Sequence, residues 1–127
     1  EATQALASDL AASLPPDATL ALHGDLGVGK TTFVQGLARG FGIREAVTSP
    51  TFTIFSIYHG HRTLVHLDAY RLENESQIEA LMLDDFLASP WCLAVEWPEK
   101  ITGWLSGGAL HLTLSIVGEG RHRVTLQ

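Results

Sequence analysis

The feature that most constrains the fold of this chain is a glycine-rich segment, Gly24-Asp25-Leu26-Gly27-Val28-Gly29-Lys30-Thr31. It matches the spacing G-x-x-x-x-G-K-[ST] at every fixed position. A short apolar run, residues 19–23, precedes it and predicts a buried strand. The residues that follow have helical spacing, with an apolar face made of Phe33, Val34, Leu37, Ala38 and Phe41. A strand, a glycine-rich turn and an amphipathic helix in this order predict a phosphate-binding loop, or P-loop.

The residue types of this segment suit a nucleoside triphosphate with Mg²⁺. Glycines let successive backbone N–H groups point at phosphate oxygens, and the start of the helix adds the positive end of its dipole. We expect Lys30 to bind the β- and γ-phosphates and Thr31 to give Mg²⁺ a hydroxyl ligand. Thr32 either touches the α-phosphate or packs in the first helical turn. The loop itself contributes the other predicted contacts, from Asp25, Leu26, Gly27, Val28 and Gly29. A glycine-rich turn that binds nothing is the alternative.

A P-loop needs a second anchor for magnesium at the end of a neighbouring strand. Two apolar runs end in a carboxylate, residues 64–68 at Asp68 and residues 93–96 at Glu96. Both would emerge at the carboxyl edge of the sheet, where α/β folds bind ligands. Either can hold the metal while the other orients the attacking water, and the sequence pattern leaves that choice open. For each residue the alternative is a surface carboxylate that caps a turn.

Three further features border the same predicted site. Arg71 is the best arginine for stabilising charge at the γ-phosphate, although a salt bridge to Glu73 or Glu75 explains it as well. The hydroxyl-rich loop at residues 48–51 resembles a switch that senses the nucleotide, or it is an ordinary loop. Trp97 follows Glu96 directly and is either a core side chain or a surface for a partner.

Size and charge limit the classes of function. The 127 residues suffice for one domain, residues 1–127, with little room beyond a minimal nucleotide-binding sheet. The net charge of -6 disfavours strong direct binding of RNA, because neutralising phosphates supplies most of that affinity. No apolar stretch approaches the roughly 20 residues that span a membrane. No signal peptide is visible, so we expect a cytoplasmic protein. The single cysteine, Cys92, lies in an apolar run and is expected to be a buried thiol.

The remaining patterns complete the prediction of an α/β fold. Helices are expected at residues 2–14 and 76–87, the second with an apolar face made of Ile78, Leu81, Met82 and Phe86. Strands are expected at residues 53–58, 63–67, 91–95, 110–116 and 121–126. We therefore predict a single P-loop NTPase domain. Its central mixed sheet is partly parallel, is flanked by helices and has antiparallel additions.

Four elements in a fixed order resemble a known family. After the P-loop come Ser49-Pro50-Thr51-Phe52-Thr53, His66-Leu67-Asp68-Ala69-Tyr70-Arg71-Leu72 and Val95-Glu96-Trp97-Pro98-Glu99. This combination resembles the TsaE family (formerly YjeE), the bacterial ATPases of the tRNA threonylcarbamoyladenosine pathway. Many NTPases share a P-loop, whereas the other three elements together are specific. The resemblance covers residues 2 to about 126 and departs at Ala69, where the family more often has Leu.

The resemblance implies an activity and partners. TsaE-like proteins bind ATP and hydrolyse it slowly when alone. They act with TsaB and TsaD, which with TsaC build threonylcarbamoyladenosine next to the anticodon of tRNAs that read codons starting with A. The ATPase would support repeated turnover of the TsaD–TsaB heterodimer, and it would meet tRNA only indirectly, through these partners.

The resemblance also implies roles by position. It implies that Lys30 binds phosphate. It also implies that Thr31 and Glu96 are the direct magnesium ligands. Asp68 matches the acidic residue of the Asp-x-Tyr-Arg element, and Trp97 matches an active-site tryptophan. A C-terminal hairpin that borders the base or ribose, with contacts from Gly120 and Arg121, has only loose support from the family. A solvent-exposed turn is the alternative there.

Two other functions also fit a P-loop. A small-molecule kinase usually carries a lid with several arginines, but no basic residue lies between Arg71 and Lys100. A nucleotide-dependent switch that rarely hydrolyses its ligand has the same sequence features. The base-reading motif Asn-Lys-x-Asp of GTPases does not occur at either lysine, Lys30 or Lys100, which favours ATP over GTP.

Overall fold

The computed structural model of the chain consists of helices and strands that alternate along most of the sequence. It describes residues 2–24, 27–47, 55–70, 72, 75–80, 82–105, 108–118 and 121–126. The helices are α1 (Ala2–Ser13), α2 (Gly27–Gly40) and α3 (Glu75–Ala80). The strands are β1 (Ala18–His23), β2 (Phe55–His59), β3 (Thr63–Asp68), β4 (Trp91–Glu96), β5 (Leu110–Gly118) and β6 (Arg121–Leu126). Short 3₁₀ helices span Leu83–Phe86 and Pro98–Ile101.

The strands of the described residues form one six-stranded mixed sheet in the order β2-β3-β4-β1-β5-β6. The four inner strands β3, β4, β1 and β5 run parallel to one another. The two edge strands are antiparallel, β2 to β3 and β6 to β5. This confirms the predicted α/β class with a partly parallel sheet and antiparallel additions.

Alternate residues of the inner strands build two apolar layers, one on each face of the sheet. On one face Leu20 and Leu22 of β1 pack with Cys92 and Ala94 of β4 against α1 and α2. On the other face a second cluster joins β3 and β4 to α3 and the 3₁₀ helices, and it contains Val65, Leu67, Leu93, Val95, Ile78, Leu83 and Ile101. Burial on both faces explains why β4 is apolar up to its final residue.

Helices α1 and α2 approach closely because α2 carries a glycine at the contact. A Cβ atom at Gly36 would lie 2.5 Å from the Gln4 carbonyl oxygen and 2.7 Å from the Ala7 Cβ. Real side chains do not tolerate such distances without a backbone shift. The small residue therefore fixes the separation of the two helices over the sheet.

The helix predicted at residues 76–87 is wrong in its second half. Helix α3 ends at Ala80, and Met82 has a left-handed backbone with φ 52°. The turn places Leu83 in the core and leaves Met82 63% and Phe86 43% exposed, so these two do not form a buried helical face. A residue with a left-handed backbone ends an α-helix, because it changes the direction of the chain. Leu81 lies outside the described residues.

No helix in the described ranges combines the length and the apolar character that crossing a membrane requires.

Candidate functional site

The carboxyl ends of three parallel strands meet in one row of the sheet. Glu96, the last residue of β4, pairs with Leu22 of β1 on one side and with Asp68 of β3 on the other. Helix α2 begins just after β1, at Gly27. Ligands of α/β folds bind at this edge. The structure therefore brings the predicted P-loop and both predicted carboxylates to one place.

The glycine that opens the loop has no room for a side chain. Gly24 has φ 118°, and a Cβ there would lie 2.2 Å from the Leu114 carbonyl oxygen. Gly27, Val28, Gly29 and Lys30 are the first four residues of α2. Their N–H groups precede any intrahelical acceptor and are available to an anion. The helix start that the cradle requires is present, the phosphate contacts stay predictions, and Asp25 and Leu26 lie outside the described residues.

Lys30 and Trp97 are in contact at this edge. The Lys30 residue is only 1% exposed, and its Nζ atom lies 4.1 Å from the centre of the Trp97 ring. A buried ammonium needs a partner, and the face of an indole is a favourable one. Two residues that the sequence assigned to the same site are therefore neighbours. Thr31 and Thr32 follow in α2 and are half-buried.

The backbone of Trp97 is unusual. It has φ 59° and ψ 52°, the left-handed region, and it turns the chain from β4 into the 3₁₀ helix that begins at Pro98. Bulky residues seldom adopt this conformation, which is concentrated at functional sites. The Tyr70 ring packs on the indole at 5.0 Å between centres. Trp97 is also packed against the second apolar cluster, so it is both a core side chain and the neighbour of Lys30.

Glu96 is a buried carboxylate and does not cap a surface turn. The residue is 3% exposed, and its Oε2 atom lies 2.5 Å from Nε2 of His66, which is fully buried. In the sequence, His66 belongs to a motif but has no predicted role. A signal was present, because the apolar residues on both sides of His66 predict that its imidazole is buried.

Asp68 has a different environment from Glu96. It is half-buried, and its Oδ1 atom accepts a hydrogen bond of 3.0 Å from the backbone N–H of Tyr70. The turn-capping alternative thus holds for one carboxylate oxygen of Asp68, while Oδ2 is a second acceptor. Which carboxylate binds metal is still a prediction, but of the two only Glu96 is held by a buried side chain within the described residues.

Another polar cluster lies beside the site and involves residues that the sequence left without a role. His23 ends β1, and its Nε2 atom lies 2.9 Å from Nδ1 of His111. The other ring nitrogen of His23, Nδ1, lies 3.8 Å from Oε2 of Glu99. Burial lowers the pKa of His23 below its usual value, and His111 lowers it further, while Glu99 acts in the opposite direction. The positive charge of Lys30 makes the smallest contribution and also lowers this pKa.

Several predicted contacts stay predictions. Arg71, Gly120 and the loop at residues 48–51 lie outside the described residues. Arg121 begins β6 and pairs with Gly118, but its side chain is also outside the described part. The predicted contact of this hairpin with a base or ribose is therefore neither confirmed nor contradicted.

The donor set suits magnesium with a phosphate ligand better than a metal held by protein alone. Across the described ranges, no group of three or more His, Cys, Asp or Glu side chains could hold a metal ion. Mg²⁺ is usually bound by one or two carboxylates together with substrate phosphates. The buried carboxylate of Glu96 fits that requirement, and Thr31 and Glu96 are still predictions as magnesium ligands.

Comparison with known proteins identifies the family. The model of the family "Threonylcarbamoyl adenosine biosynthesis protein TsaE" matches residues 1–124. The chain is 41% identical over 126 residues to the tRNA threonylcarbamoyladenosine biosynthesis protein TsaE of Bacillus subtilis, covering 98% of this chain and 78% of that protein. It is 34% identical to the TsaE protein of Treponema pallidum over 113 residues, 89% of this chain and 84% of the relative.

A solved structure agrees with the sequence relatives. The crystal structure of YdiB from Bacillus subtilis superposes with a TM-score of 0.75 at 36% identity, over 98% of this chain and 77% of the YdiB chain. The similarity therefore extends over both the P-loop and the strands that carry Asp68 and Glu96. The chain belongs to the TsaE family of proteins, which act in tRNA threonylcarbamoyladenosine biosynthesis.

Proposed function

We propose that this chain binds ATP with Mg²⁺ and hydrolyses it slowly, to support turnover of a TsaB–TsaD complex in the threonylcarbamoyladenosine modification of tRNA. One observation carries the proposal. A buried cation, Lys30, and a buried carboxylate, Glu96, lie at the sheet edge where a P-loop helix begins. Burying both charges is costly, and a function that needs both explains why they are kept.

The side chains divide the work of binding. The first N–H groups of α2 and the ammonium of Lys30 would hold the phosphates, because both are positive and lie at the same edge. The hydroxyl of Thr31 and the carboxylate of Glu96 would hold Mg²⁺, which neutralises phosphate charge when it is bound. Asp68 has a second carboxylate oxygen, Oδ2, that would orient a water molecule.

Trp97 would hold Lys30 in place. Its ring contacts both the ammonium of Lys30 and the ring of Tyr70, and its backbone is followed by the rigid Pro98. A large aromatic residue at the mouth of the site would also report the state of the nucleotide to a docked protein, since such residues anchor interfaces. The acidic charge of -6 supports a subunit that meets tRNA through partners.

The proposal is tested by reconstitution. The purified chain is incubated with Mg-ATP, TsaB, TsaD, a threonylcarbamoyl donor and tRNA, and modified nucleoside and phosphate release are measured. We expect slow hydrolysis by the chain alone and several rounds of modification per TsaD–TsaB complex only when the chain and ATP are present. A transfer of phosphate to a small molecule would favour a kinase. Binding without hydrolysis would favour a switch.

A further inference from the structure

A histidine occupies a fully buried place in β3. The strand has the sequence Thr63-Leu64-Val65-His66-Leu67-Asp68, and His66 is 0% exposed. Burying an imidazole is unfavourable unless its nitrogen atoms find partners. A leucine would fill a similar volume without this penalty. Packing alone therefore does not explain the residue.

The imidazole contacts the carboxylate of Glu96. In the register of the two parallel strands, His66 pairs with Ala94, two positions before Glu96 and on the same face. The distance from Nε2 to Oε2 is 2.5 Å, and the side chains are 0% and 4% exposed. A contact so short and so deeply buried fixes the orientation of both groups.

The direction of this hydrogen bond follows from the chemistry of the two groups. An ionised carboxylate only accepts hydrogen bonds, so the hydrogen must come from Nε2 of His66. The other ring nitrogen, Nδ1, is buried and has no hydrogen-bond partner among the described residues. A proton on Nδ1 would leave a buried N–H group unpaired, which is rare in proteins. The tautomer with its hydrogen on Nε2 avoids that.

We propose that His66 is a positioning residue that holds the Glu96 carboxylate in the orientation needed to bind the metal of the nucleotide. The inference rests on the function proposed above. His66 engages Oε2, so Oε1 would be the oxygen that binds the metal. Carboxylates that bind metals are themselves held by hydrogen bonds, and loss of such a partner costs about 10- to 100-fold in metal affinity or activity.

The test compares two substitutions of His66 with a matched control. His66→Met removes the donor at similar volume, whereas His66→Gln keeps an N–H group near the place of Nε2. The control is Leu64→Met, a change of a fully buried residue two positions earlier on the same face of β3. Three quantities are measured: thermal unfolding, affinity for ATP in EDTA, and Mn²⁺ binding to the ATP complex by electron paramagnetic resonance.

We expect His66→Met to bind ATP in EDTA as the wild type does, and to weaken Mn²⁺ binding about 10- to 100-fold. His66→Gln should recover most of this loss, and Leu64→Met should show none of it. Equal Mn²⁺ affinity in His66→Met and wild type would overturn the inference. So would a loss shared by all three variants in proportion to their unfolding temperatures.

A second measurement does not depend on any variant. Nitrogen-15 spectra of the wild-type imidazole should show the hydrogen of His66 on Nε2, and a hydrogen on Nδ1 would contradict the inference. Failure of the proposed function and failure of this inference give different results. A wild-type chain that binds no ATP overturns that function and this inference together. A wild type that binds Mg-ATP beside a His66→Met variant with unchanged Mn²⁺ affinity overturns the inference alone.

Discussion

The Nζ atom of Lys30 lies 4.1 Å from the centre of the Trp97 ring, and this contact joins the P-loop helix to the end of β4. Lys30 is almost completely buried, so the ring supplies stabilisation that water would otherwise give. The pair connects two motifs that lie far apart in the sequence and that were both assigned to the site.

The first prediction concerns this pair. A double-mutant cycle of Lys30→Ala and Trp97→Ala, measured by urea unfolding, should give a coupling free energy of about 0.5–2 kcal/mol. As the control, Trp97→Ala is combined with Arg39→Ala, at the far end of the same helix. In that combination the two changes in the free energy of unfolding should be additive. Additivity of the Lys30 and Trp97 changes would show that the contact contributes nothing to stability.

The second prediction concerns Glu96. Glu96→Ala should lower the rate of ATP hydrolysis by about 100-fold or more, because in the proposed function the carboxylate would act on metal or water in the transition state. Affinity for ATP should change far less, since the α2 N–H groups and Lys30 would still bind the phosphates. Turnover and nucleotide affinity are measured side by side, with the exposed Glu79→Ala as control. An unchanged turnover number would remove Glu96 from the mechanism.

How much the sequence predicts depends on whether a feature is local. The P-loop helix and the strands β1, β3 and β4 follow from spacing within each segment, and their positions are confirmed. The order of strands is not local, because β1 pairs with β4 and β5, which lie far along the chain. The break at Met82 is not predictable in this way, because its left-handed backbone contradicts an otherwise helical pattern.

The same reasoning applies to the site. Motifs predict Lys30 and Glu96, and the structure brings both to one edge of the sheet. They do not predict the bond between His66 and Glu96, because it depends on the register of two strands whose residues are 30 positions apart. The stacked pair His23 and His111, separated by 88 positions, escapes prediction for the same reason.

The third prediction concerns pH. Burial and His111 lower the pKa of His23 below its usual value of 6.5, so the unfolded chain binds a proton more readily there than the folded chain. The free energy of unfolding should therefore fall as pH drops below 6.5, through the lowered pKa of the folded state. His23→Gln should make this dependence shallower. Glu99→Gln should make it steeper, because Glu99 raises the same pKa.

Urea unfolding at several pH values from about 5 to about 8 measures this effect. The wild type and the two variants are compared at each pH. A wild-type stability that rises as pH falls through this window would contradict the expected sign. Identical profiles for the wild type and His23→Gln would assign the effect to other groups.

The fourth prediction concerns Cys92, whose burial confirms the expected core thiol. Burial raises its pKa to about 12, against a smaller opposite effect of Arg62. The thiolate is the reactive form, so the folded protein should react with a thiol reagent at least about 1,000-fold more slowly than the unfolded chain. Absorbance of the released chromophore measures both rates. Rapid, complete modification of the folded chain would contradict the buried position.

The most direct test of the proposed nucleotide site is ATP hydrolysis by Lys30→Ala. In the proposed function Lys30 would supply a positive charge at the γ-phosphate, while the backbone cradle would not depend on it. The variant should therefore stay folded by circular dichroism and lose nearly all hydrolysis, whereas Arg39→Ala should hydrolyse ATP at the wild-type rate. Wild-type turnover by folded Lys30→Ala would contradict the assignment of the nucleotide site.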